Sequence, residues 1–330
     1  MNICIVMAGD EEGGLEKHVV ELANGLVLSG HHVTLIAHQK YKGRVQGVDF
    51  NALDLSKSRR NPIVLWHLYK MIKSLNPEII HVHGNKAAAM VGPLLPYLKV
   101  KSVATLHSRK KNTSMFKNFK AVIAVSPNAA EALVHANKFV VLNGIEKPTL
   151  DPSIKKIQPA VVLAVGRLVP VKGFDVLIQA WKGIEDAQLW IVGNGFEDEK
   201  LRALITELDL SDSVQLLGHR NDVLQLMQQA SIYIMSSLYE GCPYTMIEAL
   251  LSKVPMLSTA VGAMTMVLPA QYLCPENDVD ALHLLIKKGL SNLEQLEVDY
   301  QPSFEYAKKN LVIEGMLDQI INIYQQVLHS

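Results

Sequence analysis

Short apolar, largely β-branched runs alternate along the chain with stretches whose apolar positions recur every three or four residues. NICIVMA precedes a helical pattern from about Gly14 to Ser29, and HVTLIA follows it. A helical pattern near 61–75 leads to EIIHVH, and another near 85–98 leads to SVATLH. Then come AVIAV, a pattern near 127–136, and FVVL. Continuous apolar strands separated by helices predict a parallel sheet covered on both faces. The rhythm breaks at 146–160, where EKPTLDPSIKKIQPA carries three prolines and no periodicity and reads as a linker. Beyond it the alternation restarts with VVLAVG, a helix near 172–183, QLWIVG, a helix near 197–208, SVQLLG and SIYIM. A helix after Pro243, PMLST, and the amphipathic end EGMLDQIINIYQQVL complete the pattern. The expected architecture is α/β: two doubly wound domains, 1–148 and 159–310. Ligands of such sheets bind beyond the carboxyl ends of the strands, so the crevice between two such domains is the expected site.

Composition narrows the classes. The 330 residues suffice for two cores, and 49% apolar with 19% charged residues is the profile of a soluble globular protein. Lys and Arg balance Asp and Glu at 32 each, so no global field recruits nucleic acid, although a neutral sum is compatible with a local patch. Cys4, Cys242 and Cys274 are far apart and form no C-x-x-C pair, which argues against a disulfide framework or a structural zinc site. MNICIVMAGDEEGG lacks a basic n-region and reads as a first strand, and no run approaches the roughly 18 apolar residues of a membrane span. The expected location is cytoplasmic.

Several stretches carry candidate chemistry. In VVLAVGRLVPVKGFDVLIQAW, Arg167 follows a strand and Lys172 precedes a helix, five apart across a loop containing Pro170. Two cations at a strand's carboxyl end converge on one anion if they are not simply solvated, and they would offset the charge of a leaving diphosphate. Gly13 and Gly14 open the first helix, where backbone amides favour an anion. The G-x-G-x-x-G fingerprint is absent, a plain glycine-rich turn is the competing reading, and Asp10, Glu11 and Glu12 oppose a phosphate unless they point away. Three strand-end histidines, His81, His83 and His107, lack metal-ligand spacing and read as polar groups at a sheet edge. His107, beside Ser108 and Arg109, is placed to donate to a phosphate or a substrate hydroxyl, or to relay a proton.

In SSLYEGCPYTMIEAL, Pro243 suits the first turn of a helix. That leaves Glu240 in the loop and Glu248 on the helix, with the amides of Gly241, Cys242, Tyr244 and Thr245, around Pro243, as an anion cradle. Two carboxylates beside a diphosphate make sense if each accepts hydrogen bonds from neutral hydroxyls at opposite ends of a ligand. A capping glutamate plus an unrelated helical one is the alternative. Residues 99–120 hold seven basic residues and no acid, with Met115, Phe116 and Phe119 interleaved. This is either a solvated loop or a surface that meets anionic lipid and inserts apolar side chains, with nucleic acid a weaker third option.

These pieces, taken in order over nearly the whole chain, resemble the family 4 retaining glycosyltransferases of GT-B fold, which include lipopolysaccharide-core and phosphatidylinositol mannosyl enzymes. GGLEKHVVELANGL with GHHVTLIA resembles the family's N-terminal glycine motif, and IIHVHG and VATLHS resemble its paired strand ends. AVSPNAAEAL and VLNGIE resemble its lead into the linker. VGRLVPVKGFDVLIQAW carries its Arg and Lys, and SLYEGCPYTMIEALLSKVP its two glutamates. The resemblance implies that Arg167 and Lys172 bind the donor diphosphate, Glu240 the donor sugar and Glu248 the ribose. It implies that Gly13 and Gly14 admit donor and acceptor, and that His107 lies near the reacting carbon. It further implies a GT-B fold with the helix at about 311–330 packing back on the N-terminal domain, no metal and no cofactor. The expected partners are a nucleotide-sugar donor, a glycan or glycolipid acceptor and an anionic membrane surface at 99–120. Two departures stand out: TAVGAMTMVLP keeps one glycine, Gly262, where the family has two and an acid, and EGCPYT replaces the commoner aromatic-glycine pair. A nucleotide-sugar 2-epimerase and a non-catalytic sugar-nucleotide-binding subunit are the competing functions. The retained Arg167, Lys172, Glu240 and Glu248 disfavour both.

Overall fold

The computed structural model describes residues 1–10 and 13–330, and the chain divides into two compact units, Met1–Ile145 with Asn310–Ser330, and Glu146–Lys309. The first unit holds strands β1 (Asn2–Met7), β2 (His32–Ala37), β3 (Asp49–Ala52), β4 (Ile79–His83), β5 (Lys101–Leu106), β6 (Ala121–Ala124) and β7 (Lys138–Val140). They form one parallel sheet in the order β3-β2-β1-β4-β5-β6-β7. Helices α1 (Gly14–Leu28), α2 (Pro62–Leu75), α3 (Gly84–Val91) and α4 (Pro127–Glu131) supply the crossovers. Local chemistry sets their ends. Asn61 caps α2 through Ile63 N and Val64 N with Pro62 as first helical residue, and Ser126 caps α4 ahead of Pro127. Pro93 and Pro96 stop α3 and turn the expected helix near 85–98 into a 3-10 stretch, Gly92–Tyr97.

The sheet separates two cores. One packs Leu68, Ile72, Met90, Phe116 and Phe119 against the β4 and β5 face, and the other packs α1 against β1. The helix at Ile313–Leu328 belongs to the second core, burying Met316, Leu317, Ile320, Ile323, Tyr324 and Val327 beside Leu22 and Leu26 of α1. Its entry is tight, because a Cβ at Gly144 would overlap the Val312 carbonyl.

The second unit holds β8 (Ala160–Val165), β9 (Ala187–Val192), β10 (Val214–Gly218), β11 (Ile232–Met235), β12 (Met256–Thr259) and β13 (Leu273–Cys274), all parallel in the order β10-β9-β8-β11-β12-β13. Its helices are α5 (Phe174–Ala180), α6 (Asp198–Glu207), α7 (Val223–Gln229), α8 (Tyr244–Leu251), α9 (Met264–Val267), α10 (Val279–Ser291), α11 (Leu293–Asp299) and α12 (Gln301–Asn310). The helix at Ile313–Leu328 is α13. Residues 146–159 form neither helix nor strand, and they follow the second unit through Gln228 Nε2 to Asp151 O at 2.9 Å and Ile157 N to Gln229 O at 3.0 Å. No helix among the described residues is long and apolar enough to cross a membrane.

Candidate functional site

In the second unit, strand order reverses between β8 and β11, and the loops leaving their carboxyl ends are where a doubly wound sheet binds ligand. After β8 come Gly166 and exposed Arg167, then a 3-10 turn, Pro170–Lys172, and Gly173 opening α5. After β11 the chain runs through Ser236 to Pro243 and into α8. The two loops are joined. Leu238 N donates to Val171 O at 2.9 Å, and Ser236 Oγ donates to Lys172 O at 2.9 Å. Gly173, at φ +60°, lies so close to the Ser236 carbonyl that any Cβ would overlap it.

At the centre, Lys172 Nζ donates to Glu240 Oε1 at 2.6 Å, and Ser237 Oγ donates to the same oxygen at 2.8 Å. The two charged side chains are only 19% and 13% exposed, so each needs the other's charge. Lys172 has two further N–H donors to offer. Its stem packs over Gly166, where a Cβ would meet Lys172 Cε at 3.3 Å, which keeps it beside Arg167. The structure thus gathers Arg167, Lys172 and Glu240 into one loop pair.

Glu248 is the fifth residue of α8. Pro243 occupies the N-cap position rather than the first turn expected from sequence, and α8 starts at Tyr244 with no side-chain cap. The amides of Tyr244 and Thr245 therefore lie in a first turn that the N-cap side chain does not bond. Gly241 is fixed from the side: its carbonyl accepts Ala263 N at 2.8 Å, and Gly262, at φ +59°, touches the same backbone so closely that a Cβ would overlap it. The single remaining glycine of TAVGAMTMVLP thus clamps the Glu240–Gly241 loop. Sequence reasoning missed Tyr233, the one aromatic in SIYIM. Its buried hydroxyl donates to Val165 O at 3.3 Å beside Thr245, and burial first, then the Glu248 and Glu240 charges, push its pKa upward.

In the first unit the histidines converge. His81 is not the sheet-edge group expected from sequence. It lies fully buried on central strand β4, with Nδ1 at 2.6 Å from the Tyr324 hydroxyl and Nε2 at 2.7 Å from the Thr105 hydroxyl. His83 Nδ1 lies 3.2 Å from His107 Nε2, and His18 of α1 completes a trio whose ring centroids are 4.9 to 5.4 Å apart. His107 alone of the three keeps part of its surface exposed. Among the described residues His83 Nε2 has no hydrogen-bond partner, while the Asn143 side chain beside His18 partly counters that imidazole's pKa depression.

Burial pushes His18 down to about 4 and His81 to about 3, and burial plus neighbouring imidazoles hold His83 and His107 well below the usual histidine range. These are neutral donors and acceptors suited to hydroxyl groups. Among the described residues, His18, His83 and His107 bring three ligand atoms within 4.8 Å of one another, a grouping that sequence spacing does not display. The set is nitrogen-only, which suits Zn²⁺ rather than the oxygen-seeking Mg²⁺ of diphosphate chemistry. Gly13 precedes α1 in ordinary extended backbone, and Gly14 is the first residue of that helix. Asp10 is described; Glu11 and Glu12 lie outside the described residues.

The segment 99–120 departs from expectation. Phe116 and Phe119 are 1% and 3% exposed and lie in the core with Met115 packed against it, so they are not available to insert into lipid. Exposed apolar side chains of the first unit include Ile63, Trp66 and Tyr97, and Trp66 and Tyr97 line a shallow hollow of about 380 Å³.

Residues 12–147 match the model for glycosyltransferase family 4, and residues 147–301 match that for the glycosyl transferases group 1. An uncharacterized glycosyltransferase of Haemophilus influenzae is 28% identical over 92% of this chain and 95% of its own length. The lipopolysaccharide core biosynthesis glycosyltransferase LpsE of Rhizobium meliloti is 24% identical over 76% of each chain. In fold, the chain resembles Anabaena Alr3699/HepE in complex with UDP, with a TM-score of 0.84 at 17% identity, covering 99% of this chain and 100% of that one. The same protein in complex with UDP-glucose gives a TM-score of 0.78 at 18% identity, over 98% and 99%.

Proposed function

Since the chain belongs to the family 4 glycosyltransferases of GT-B fold, we propose that it transfers a sugar from a nucleoside-diphosphate sugar to a hydroxyl of a glycan or glycolipid, with retention at the anomeric carbon. The observation that carries this reading is the Arg167, Lys172 and Glu240 cluster at the switch point of the second sheet. Arg167 and Lys172 neutralise the diphosphate as the bond to the sugar breaks, and the start of α8 adds its dipole. Glu240, already oriented by Lys172 and Ser237, accepts hydrogen bonds from the donor sugar, and Glu248 from the ribose. The acceptor hydroxyl attacks on the face from which the diphosphate leaves. Its proton passes to the departing phosphate oxygen, so no protein carboxylate forms a covalent intermediate. His107 is a neutral hydrogen-bonding partner near the reacting carbon, and no metal takes part.

The relative bound to UDP-glucose supports a UDP-sugar donor, and the lipopolysaccharide-core relative supports cell-surface polysaccharide or lipopolysaccharide assembly. Such an enzyme works in the cytoplasm, peripherally at the membrane, with Ile63, Trp66 and Tyr97 as its lipid contact. The test is binding and turnover across a panel of nucleotide sugars. A donor raises the melting temperature by mass action, and chelation leaves both shift and turnover intact. Glu240→Gln lowers transfer about tenfold or more with UDP affinity nearly unchanged, whereas Glu248→Gln weakens both. No shift with any nucleoside diphosphate, free or sugar-linked, overturns the reading.

A further inference from the structure

The neutral net charge conceals a segregation. Between residues 55 and 130 the chain carries thirteen Lys and Arg against a single acid, Glu78. Glu78 sits at the amino end of β4, where its Oε2 accepts Asn2 N at 2.6 Å. At the opposite, carboxyl end of the same sheet is a cavity of about 760 Å³, lined by Arg59, Arg60, Lys110, Lys111 and Lys117 and, among the described residues, by no carboxylate. The five cations come from segments far apart in sequence. Arg59 and Arg60 follow β3 and precede α2, and the three lysines follow β5. Asn85 of α3 adds its amide to the wall. Folding brings these like charges together without a counter-charge among the described lining residues, an arrangement that opposes stability unless an anion answers it. The volume exceeds what one phosphate fills and falls in the range of sites for sugar-sized ligands. The cavity opens at the sheet end that carries His83 and His107, and Lys110 is only three residues beyond His107.

We propose that this cavity is an acceptor subsite for a phosphate ester, and that the acceptor is a phosphorylated, anionic glycan whose phosphate is held by Arg59, Arg60, Lys110, Lys111 and Lys117. The assignment of an acceptor rests on the transferase reading above; the anion site itself does not. The phosphate presents charge and several acceptor oxygens to guanidinium and ammonium donors, and it anchors the glycan beside His107. Phe116 and Phe119, buried behind the cations, hold their loop against the core and give the site a fixed wall.

The test is calorimetric titration at low salt with inorganic pyrophosphate, and with glucose 6-phosphate as a monoester probe. It starts from full-length Arg167→Gln/Lys172→Gln protein, in which the proposed donor diphosphate contacts are removed. Pyrophosphate binds this background, and adding Lys110→Gln, Lys111→Gln and Lys117→Gln weakens it about tenfold or more. The three lysines are exposed, so the changes leave the core untouched, and UDP affinity measured with the lysine changes alone stays within about twofold. No pyrophosphate binding in the background, or binding that the lysine changes do not weaken, overturns the proposal. Failure of the wild type to bind UDP, with the pyrophosphate result intact, strikes the transferase reading and leaves the anion site standing. Sedimentation with phosphatidylglycerol vesicles separates the sources. Lysine-dependent vesicle binding without any soluble phosphate bound assigns the cations to lipid headgroups and overturns the acceptor subsite.

Discussion

Four imidazoles, His18, His81, His83 and His107, are held neutral by the first unit, chiefly because burial penalises their charged forms. The sign of the resulting pH dependence is definite. Their folded pKa values lie below the unfolded value near 6.5, so between those values the unfolded chain binds more protons than the folded one. The stability they contribute is complete above about pH 6.5 and is lost as pH falls toward 4, at about 1.4 kcal/mol per pH unit for each group still neutral in the fold. Thermal unfolding followed from pH 7.5 to 4 therefore shows a melting temperature that drops below pH 6.5, and His18→Phe flattens the drop. An unchanged slope in that variant would show that His18 is not buried neutral. At this scale Arg167 and Lys172 stood out as candidates, because two cations five apart across a proline at a strand's carboxyl end either converge on one anion or are simply solvated. The Lys172–Glu240 pair was not, since 68 residues separate the partners and only the adjacency of β8 and β11 brings them together. His18 escaped notice because a polar residue in an amphipathic helix reads as surface until the helix's facing sheet is known.

At the scale of elements, the geometry of the second unit's site depends on loops that touch backbone to backbone. Gly173 against the Ser236 carbonyl and Gly262 against Gly241 both use positive φ and both exclude a side chain. Gly173→Ala combines a disfavoured backbone conformation with a steric overlap, and costs about 1–3 kcal/mol or more. The expected result is a lower urea midpoint together with weaker UDP binding, because separating the loops moves Lys172 away from Glu240. A variant with unchanged midpoint and affinity would show that the loops do not need this contact. Strands with continuous apolar runs, such as NICIVM and AVVLAV, were legible from sequence. The short DFNA strand β3 and the seven-residue α7 were not, since neither is long enough to show a period. Helix lengths were overestimated where prolines intervene, at Pro93 and Pro96 before the 3-10 stretch ends.

For the molecule as a whole, the last helix is part of the first unit although nearly the entire second unit precedes it in sequence. Its six buried apolar side chains and the Tyr324 hydroxyl at His81 complete the core beneath β1 and β4. Removing them exposes side chains worth about 1.5–3 kcal/mol each, a loss comparable to the whole stability of a domain, about 5–15 kcal/mol. A chain ending at Asn310 is therefore expected to lose the first unit and keep the second. Limited proteolysis would leave a resistant fragment starting near residue 146 and nothing stable from 1–145. Survival of 1–145 in that truncation would show that α13 is dispensable.

Periodicity and proline placement alone determined the two α/β units, because a doubly wound sheet needs buried apolar strands and alternating helices, and both leave marks in local sequence. The same local marks exposed Arg167, Lys172, Glu240 and Glu248 as candidates, since each stands next to a strand end or a helix start. What each candidate touches was decided only by tertiary structure. Strand order placed Lys172 on Glu240, the facing helices made His81 a buried tie and His18 a neighbour of His107, and the β5 loop turned Phe116 and Phe119 inward while leaving its lysines around a cavity. Contacts between residues distant in sequence follow from sheet order and packing, and neither is written in any local pattern.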